Sequence, residues 1–89
     1  MHFTLYSRSY CHLCEDMLAA LQALQSPRQP FTVAVIDIDA AAAAGDTVPL
    51  QRFDELVPVL FGDPQAPELC HYFLDEVAVR NWLAAAQVA

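Results

Sequence analysis

The run Cys11-His12-Leu13-Cys14 constrains this chain more than any other feature of it. It follows a short apolar segment at residues 3–6. It also opens a stretch, residues 13–25, in which Leu13, Met17, Leu21 and Leu24 recur at the spacing of one helix face. Two cysteines one turn apart at the start of a helix can close a small disulfide ring. The unpaired backbone N–H groups and the dipole of that helix end favour a thiolate on the first of them. The same spacing also supplies half of a zinc site, so by itself it leaves two chemistries open.

The rest of the chain sets strands and helices around that pair. Residues 2–6 predict a short strand, and residues 7–10 a polar loop leading to the cysteines. Ser26, Pro27 and Pro30 end the first helix. Residues 31–38 are rich in β-branched side chains and predict a buried strand parallel to the first. The alanine run before Gly45 is either a helical turn or a loose connection. Asp46 or Thr47, with Pro49 close behind, marks a short helix ending near Asp54 or Glu55. Residues 57–61 and 68–73 predict a hairpin across a turn rich in Gly, Asp and Pro. Residues 75–87 are helix-patterned, with Val77, Trp82, Leu83 and Ala86 expected to be buried. The order is βαβαββα in a single domain over residues 1–89, without repeats or linkers.

Composition narrows the function. Apolar residues make up 56% of the chain, ample for one core, yet no run approaches the roughly 18 apolar residues of a membrane helix. No basic segment followed by an apolar stretch marks a leader, so a cytoplasmic, reducing setting is expected. There an exposed cysteine pair serves redox or metal chemistry rather than stapling the fold. Eleven acidic residues stand against four arginines and no lysine, a net charge of −7. That balance disfavours nucleic acid and anionic membrane surfaces and reads first as that of a soluble acidic protein, with a preference for basic protein partners as the alternative. A monomer is expected.

A C-x-x-C beside a strand–helix–strand pattern reads as a thiol-redox motif. With Leu5-Tyr6-Ser7-Arg8 before it, Glu15 after it, Ile36-Asp37-Ile38-Asp39, Val57-Pro58-Val59-Leu60, and Leu74-Asp75-Glu76 through Trp82-Leu83, the chain resembles the small bacterial glutaredoxin-like proteins over essentially its whole length. The resemblance implies the glutaredoxin form of the thioredoxin fold. That is an α/β domain whose four-stranded mixed sheet has the order 2-1-3-4, with the last two strands antiparallel and helices on both faces. It implies a thiol–disulfide oxidoreductase that contributes to cell redox homeostasis through a Cys11/Cys14 couple, without a cofactor. Cys11 is then the attacking thiol, and Cys14, one turn inward, resolves the mixed disulfide. His12 and Arg8 modulate the thiolate, Arg8 alternatively receiving a substrate carboxylate. Tyr10, where thioredoxins carry tryptophan, belongs with them. Glu15 and Asp16 set negative charge against that effect. The resemblance also implies a cis Pro58, with the Val57 backbone offering an N–H and a C=O to an extended substrate. Asp75 is either the remnant of a glutathione site or the cap of the last helix. The implied partner is a disulfide-containing protein or a low-molecular-weight thiol.

Three departures qualify the match. Leu5 stands six residues before Cys11, where thioredoxins keep a buried acid. Tyr72-Phe73-Leu74-Asp75 lacks the paired glycines whose amides reach the γ-glutamyl carboxylate of glutathione, so glutathione is left without its usual recognition residues. Cys70-His71 raises a zinc site with Cys11 and Cys14. Adjacent strand residues face opposite ways, however, and the fourth strand is expected two strands from the first, so no metal site is expected. Cys70 is expected as a small apolar strand residue, and Asp37 and Asp39 as a strand end in solvent. A metal- or iron–sulfur-binding module using the same cysteines, and a redox-inert partner-binding domain, remain the alternatives.

Overall fold

β1 (His2–Ser7) is paired on both sides, parallel to β2 (Thr32–Asp37) and antiparallel to β3 (Val59–Phe61). β3 in turn pairs antiparallel with β4 (Cys70–His71), giving the sheet order β2-β1-β3-β4 that the resemblance implies. The computed structural model describes residues 1–88, and residue 89 of the expected domain lies outside the described residues. Four helices complete the fold: α1 (His12–Gln22), α2 (Ile38–Ala43), α3 (Val48–Phe53) and α4 (Glu76–Val88). None of the described helices is long and apolar enough to cross a membrane.

Strand alternation sorts the apolar side chains into two cores. Phe3, Leu5 and Leu60 pack with Met17 and Leu21 of α1, Val79 and Leu83 of α4, and Phe31. Val59 and Phe61 pack on the other face with Ile38 of α2 and Phe53 of α3, Tyr6 lying alongside. Each side chain fully buried this way contributes about 1.5–3 kcal/mol relative to exposure.

The elements differ from the sequence reading in five places. α1 stops at Gln22, and its buried stripe is Cys14, Met17 and Leu21; Leu13 is 36% exposed. Met17 and Leu21 are buried as expected, and in the first turn Cys14 takes the inward place that the helical spacing gives to Leu13. α4 buries Val79, not Val77, which is 69% exposed, and Ala86 is exposed while Trp82 is half-buried and Leu83 buried. Val79, Trp82 and Leu83 share one face at i, i+3 and i+4, whereas Val77 sits on the outer side of the first turn. The alanine run is helical. Asp37 turns β2 directly into α2 by accepting the amides of Asp39 and Ala40 at 2.9 and 3.0 Å, and Gly45 ends the helix at φ 104°. The expected strand at 68–73 shrinks to two residues because Tyr72 adopts φ 64°, which breaks the extended run. β3 begins at Val59, since Pro58 carries no N–H for a ladder.

Val79→Ala is expected to lower unfolding free energy by about 2 kcal/mol and Val77→Ala by less than about 0.5 kcal/mol, measured by urea denaturation. Equal losses would mean that α4 is rotated from the position described.

Candidate thiol–disulfide site

The sheet register gathers the site at one end. Tyr6 faces Val59 and Val59 faces His71, so the next positions, Ser7, Pro58 and Tyr72, form one row. The Tyr72 N–H closes that row by donating to the Pro58 carbonyl at 2.9 Å. The cysteine loop leaves β1 at this end. Tyr10 takes φ 59° and stands fully exposed immediately before Cys11.

Cys11 and Cys14 are joined as a disulfide with Cα atoms 5.2 Å apart. Cys11 is the N-cap of α1, in extended conformation, and its Sγ accepts the Cys14 N–H at 3.1 Å. Its carbonyl accepts the Glu15 N–H at 3.1 Å and starts the helical ladder. The two sulfurs live in different surroundings: Cys11 is partly exposed, whereas Cys14 is 3% exposed within the packed face of α1. An incoming thiolate therefore reaches the first sulfur more readily than the second. The sulfur at the cap already faces a backbone donor suited to a negative charge.

Arg8 holds the loop from behind. Its Nε and Nη2 donate to the two carboxylate oxygens of Asp39 at 3.0 and 2.8 Å, and its Nη1 donates to the Asp54 side chain and carbonyl at 3.0 and 2.9 Å. These bonds, the one to Asp39 first, raise the guanidinium's affinity for its proton further above an already high value. The fork anticipated beside a thiolate or a substrate carboxylate is thus filled by two acids of the chain itself. Ser9 adds a second tie, its hydroxyl donating to Asp37 at 3.1 Å. Asp39 lies in α2 and Asp37 caps it, so neither merely ends a strand in solvent.

The other anticipated residues fall as follows. His12 points into solvent, its side chain 97% exposed and its Nδ1 4.0 Å from Glu15. The Val57–Pro58 peptide is cis. The Val57 N–H, anticipated as free for substrate, is donated to the Phe53 carbonyl at 3.2 Å, because α3 runs almost directly into this turn. Asp75 precedes α4, and its Oδ1 accepts the Ala78 N–H at 3.0 Å as a cap does. Cys70 lies half-buried in β4, and loss of water around it pushes its thiol up despite a bond from the Asp75 amide. His71 pairs with Glu68 at 3.0 Å instead of turning toward the cysteines. Among the described residues, no group of three or more His, Cys, Asp or Glu gathers as a metal site. Tyr72 was not singled out from the sequence. Its hydroxyl donates to the Glu55 carbonyl at 2.7 Å, bracing the turn ahead of Pro58 from the β4 side. No local pattern marks that role, because it depends on a chain reversal seventeen residues away.

Comparison with known proteins places this geometry. The profile of the family described as "Glutaredoxin-like domain (DUF836)" matches residues 2–84. The chain is similar to the solution structure of protein Ne2328 from Nitrosomonas europaea, at 37% identity over 91% of this chain and 88% of that one, with a TM-score of 0.71. It is also similar to the X-ray structure of target protein XcR50 from X. campestris, at 33% identity over 93% and 96% of the two chains, with a TM-score of 0.60. No curated protein matches the chain in sequence.

The Asp37 carboxyl is held below the ordinary aspartate value of 3.8, first by the Ala40 amide and then by Ser9 and the Asp39 amide. A carboxyl depressed by folding stabilises above its unfolded pKa and loses that contribution as pH falls through the folded value. Asp37→Asn keeps a capping oxygen but does not titrate. Thermal melts taken from neutral pH down to about pH 2 are expected to show a shallower acid decline for Asp37→Asn than for the native chain below about pH 4. Parallel declines would mean that Asp37 gains nothing from these donors.

Proposed function

The chain belongs to the glutaredoxin-like family, and from that membership we propose that it is a thiol–disulfide oxidoreductase working through a Cys11/Cys14 couple. The observation that carries this reading is the asymmetry of the disulfide. One sulfur is partly exposed at the cap of an eleven-residue helix, and the other is buried one turn inside.

In the reduced state Cys11 is the nucleophile, its thiolate accepting the Cys14 N–H. Its sulfur attacks a substrate disulfide. A Cys11–substrate S–S bond forms, the substrate bond breaks, and the departing thiolate takes a proton. Cys14 then loses its proton and attacks Cys11 Sγ, which closes the internal disulfide and releases the second substrate thiol. Two electrons pass to the substrate, and an external thiol or dithiol restores the dithiol form.

Arg8, with Ser9, fixes the loop on which Cys11 sits, and acts as a positioning residue. The Val57 carbonyl, whose N–H is already occupied, offers one acceptor for an extended substrate. Asp75 caps α4, and no glycine pair precedes it to bring amides to a glutathione carboxylate. A disulfide-bearing protein therefore fits the site better than glutathione. Both cysteines come from one chain, so a monomer suffices, and a reducing bacterial cytoplasm is the setting in which such a couple contributes to redox homeostasis.

Cys11→Ser is expected to abolish exchange with a small neutral disulfide. Cys14→Ser is expected to accumulate a mixed disulfide detectable by intact mass. Exchange at the native rate in Cys11→Ser would overturn this reading.

A further inference from the structure

We infer that the surface around the Cys11–Cys14 disulfide selects a cysteine-bearing polypeptide segment that is basic and carries an apolar side chain near its cysteine, and discriminates against acidic segments. This rests on the exchange reading above and names the class of substrate.

Two observations carry it. The first is apolar exposure concentrated where the sheet register gathers the site. Tyr10 is fully exposed ahead of Cys11, Leu13 is 36% exposed beside it, and Phe73 is 70% exposed next to Tyr72, which lies in the row of Ser7 and Pro58. A single exposed apolar residue needs no explanation, but Tyr10, Leu13 and Phe73 exposed at the same end as one partly exposed disulfide offer apolar surface to a substrate side chain.

The second is charge. Glu15 and Asp16 sit on the first turn of α1, Glu55 just ahead of Val57, and Asp75 and Glu76 at the start of α4, all at this end. Of these acids only Glu76 has an arginine partner. Arg8 is locked between Asp39 and Asp54, and Arg80 pairs with Glu76 at 2.9 Å. Arg52 lies over the Phe53 ring, and Arg28 sits by Met1 at the opposite end of β1. The two histidines at this end, His12 and His71, each have a glutamate within 4.0 Å. An anionic substrate thus finds at this end one exposed guanidinium without a carboxylate partner, Arg52, against the carboxylates of Glu15, Asp16, Glu55 and Asp75, while a segment with Lys or Arg beside its cysteine meets a predominantly acidic surface. Such steering acts on approach and weakens with salt.

The test uses three peptides alike except that the cysteine is flanked by two lysines, two serines or two glutamates. Each has a phenylalanine two positions on and the cysteine capped as a mixed disulfide with mercaptoethanol. The reduced protein is mixed with each peptide, and with hydroxyethyl disulfide as a small neutral substrate. Every peptide rate is divided by that peptide's own rate with dithiothreitol, which removes differences in intrinsic reactivity. The lysine peptide is expected to react about tenfold faster than the glutamate peptide at about 20 mM salt, the ratio approaching one at about 0.5 M. The combined variant Glu15→Gln, Asp16→Asn, Glu55→Gln is expected to flatten the ratio. Phe73→Ser is expected to slow all three peptides without slowing hydroxyethyl disulfide. Equal normalised rates, or a preference for glutamate, would overturn the inference while exchange itself stands. Failure to react even with hydroxyethyl disulfide would instead sink the exchange reading, and this inference with it.

Discussion

The register of β1 between its two neighbours is the constraint on which the rest depends. β1 sends side chains to both cores and pairs along both edges, as the shorter β3 does beside it. A slip of one residue would turn Phe3 and Leu5 away from α1 and α4 and bring Thr4 in their place, exchanging two fully buried apolar side chains for a polar one. The same register fixes where the chain leaves the sheet. Ser7, Pro58 and Tyr72 come to one row only because Leu5 faces both Val35 and Leu60, and Leu60 faces Cys70. Core packing thereby decides the position of a disulfide that contributes little to either core.

Between the end of β1 and the start of α1 the chain has four residues in which to reverse, and non-local polar contacts hold it there. Tyr10 and Tyr72 both occupy left-handed backbone, which costs a residue with a side chain on the order of 1–3 kcal/mol. Each is flanked by bonds that fix the neighbouring backbone. Arg8 and Ser9 are tied to Asp39, Asp54 and Asp37, while Tyr72 is held through its own amide and hydroxyl. The Arg8 fork is bidentate and links α2 to the residue that ends α3, so it works as a brace across three segments; a lone surface ion pair would contribute much less.

The pattern of strands and a cysteine pair at a helix start were legible in the sequence, because periodicity and turn residues are local signals, whereas the order of the strands in the sheet came only with the family resemblance. What escaped was set by tertiary contact. Leu13 and Cys14 are both apolar and adjacent, so the helical repeat cannot say which one faces inward; contact with the sheet decides for Cys14. The same ambiguity separated Val77 from Val79. Residues 68–73 look extended at every position, yet Tyr72 reverses because its hydroxyl has the Glu55 carbonyl to reach, a partner no local pattern reveals. Arg8, three residues from a cysteine, reads in sequence as a cation open to a thiolate or a substrate carboxylate, but two acid partners 31 and 46 residues on occupy it instead.

Magnitudes separate the two electrostatic influences at this end of the molecule. The Cys14 amide, which contacts Cys11 Sγ at 3.1 Å in the disulfide form, and the first turn of α1 act on that sulfur at short range, worth about 0.3–2 kcal/mol for a charge at a helix N-terminus. An exposed carboxylate some 8 Å off in water opposes by only about 0.5 kcal/mol, and by less as salt rises. The short-range donors therefore govern whether Cys11 can carry a negative charge, and Glu15 and Asp16 trim that effect without reversing it. For a molecule still approaching through solvent the order is inverted, since it feels no single amide but the sum of several unneutralised carboxylates. On the proposed exchange reading, the acidic end thus keeps a nucleophilic sulfur and yet is selective in what it lets near. That combination is available because the arginine closest in sequence to the cysteines is spent on holding the loop.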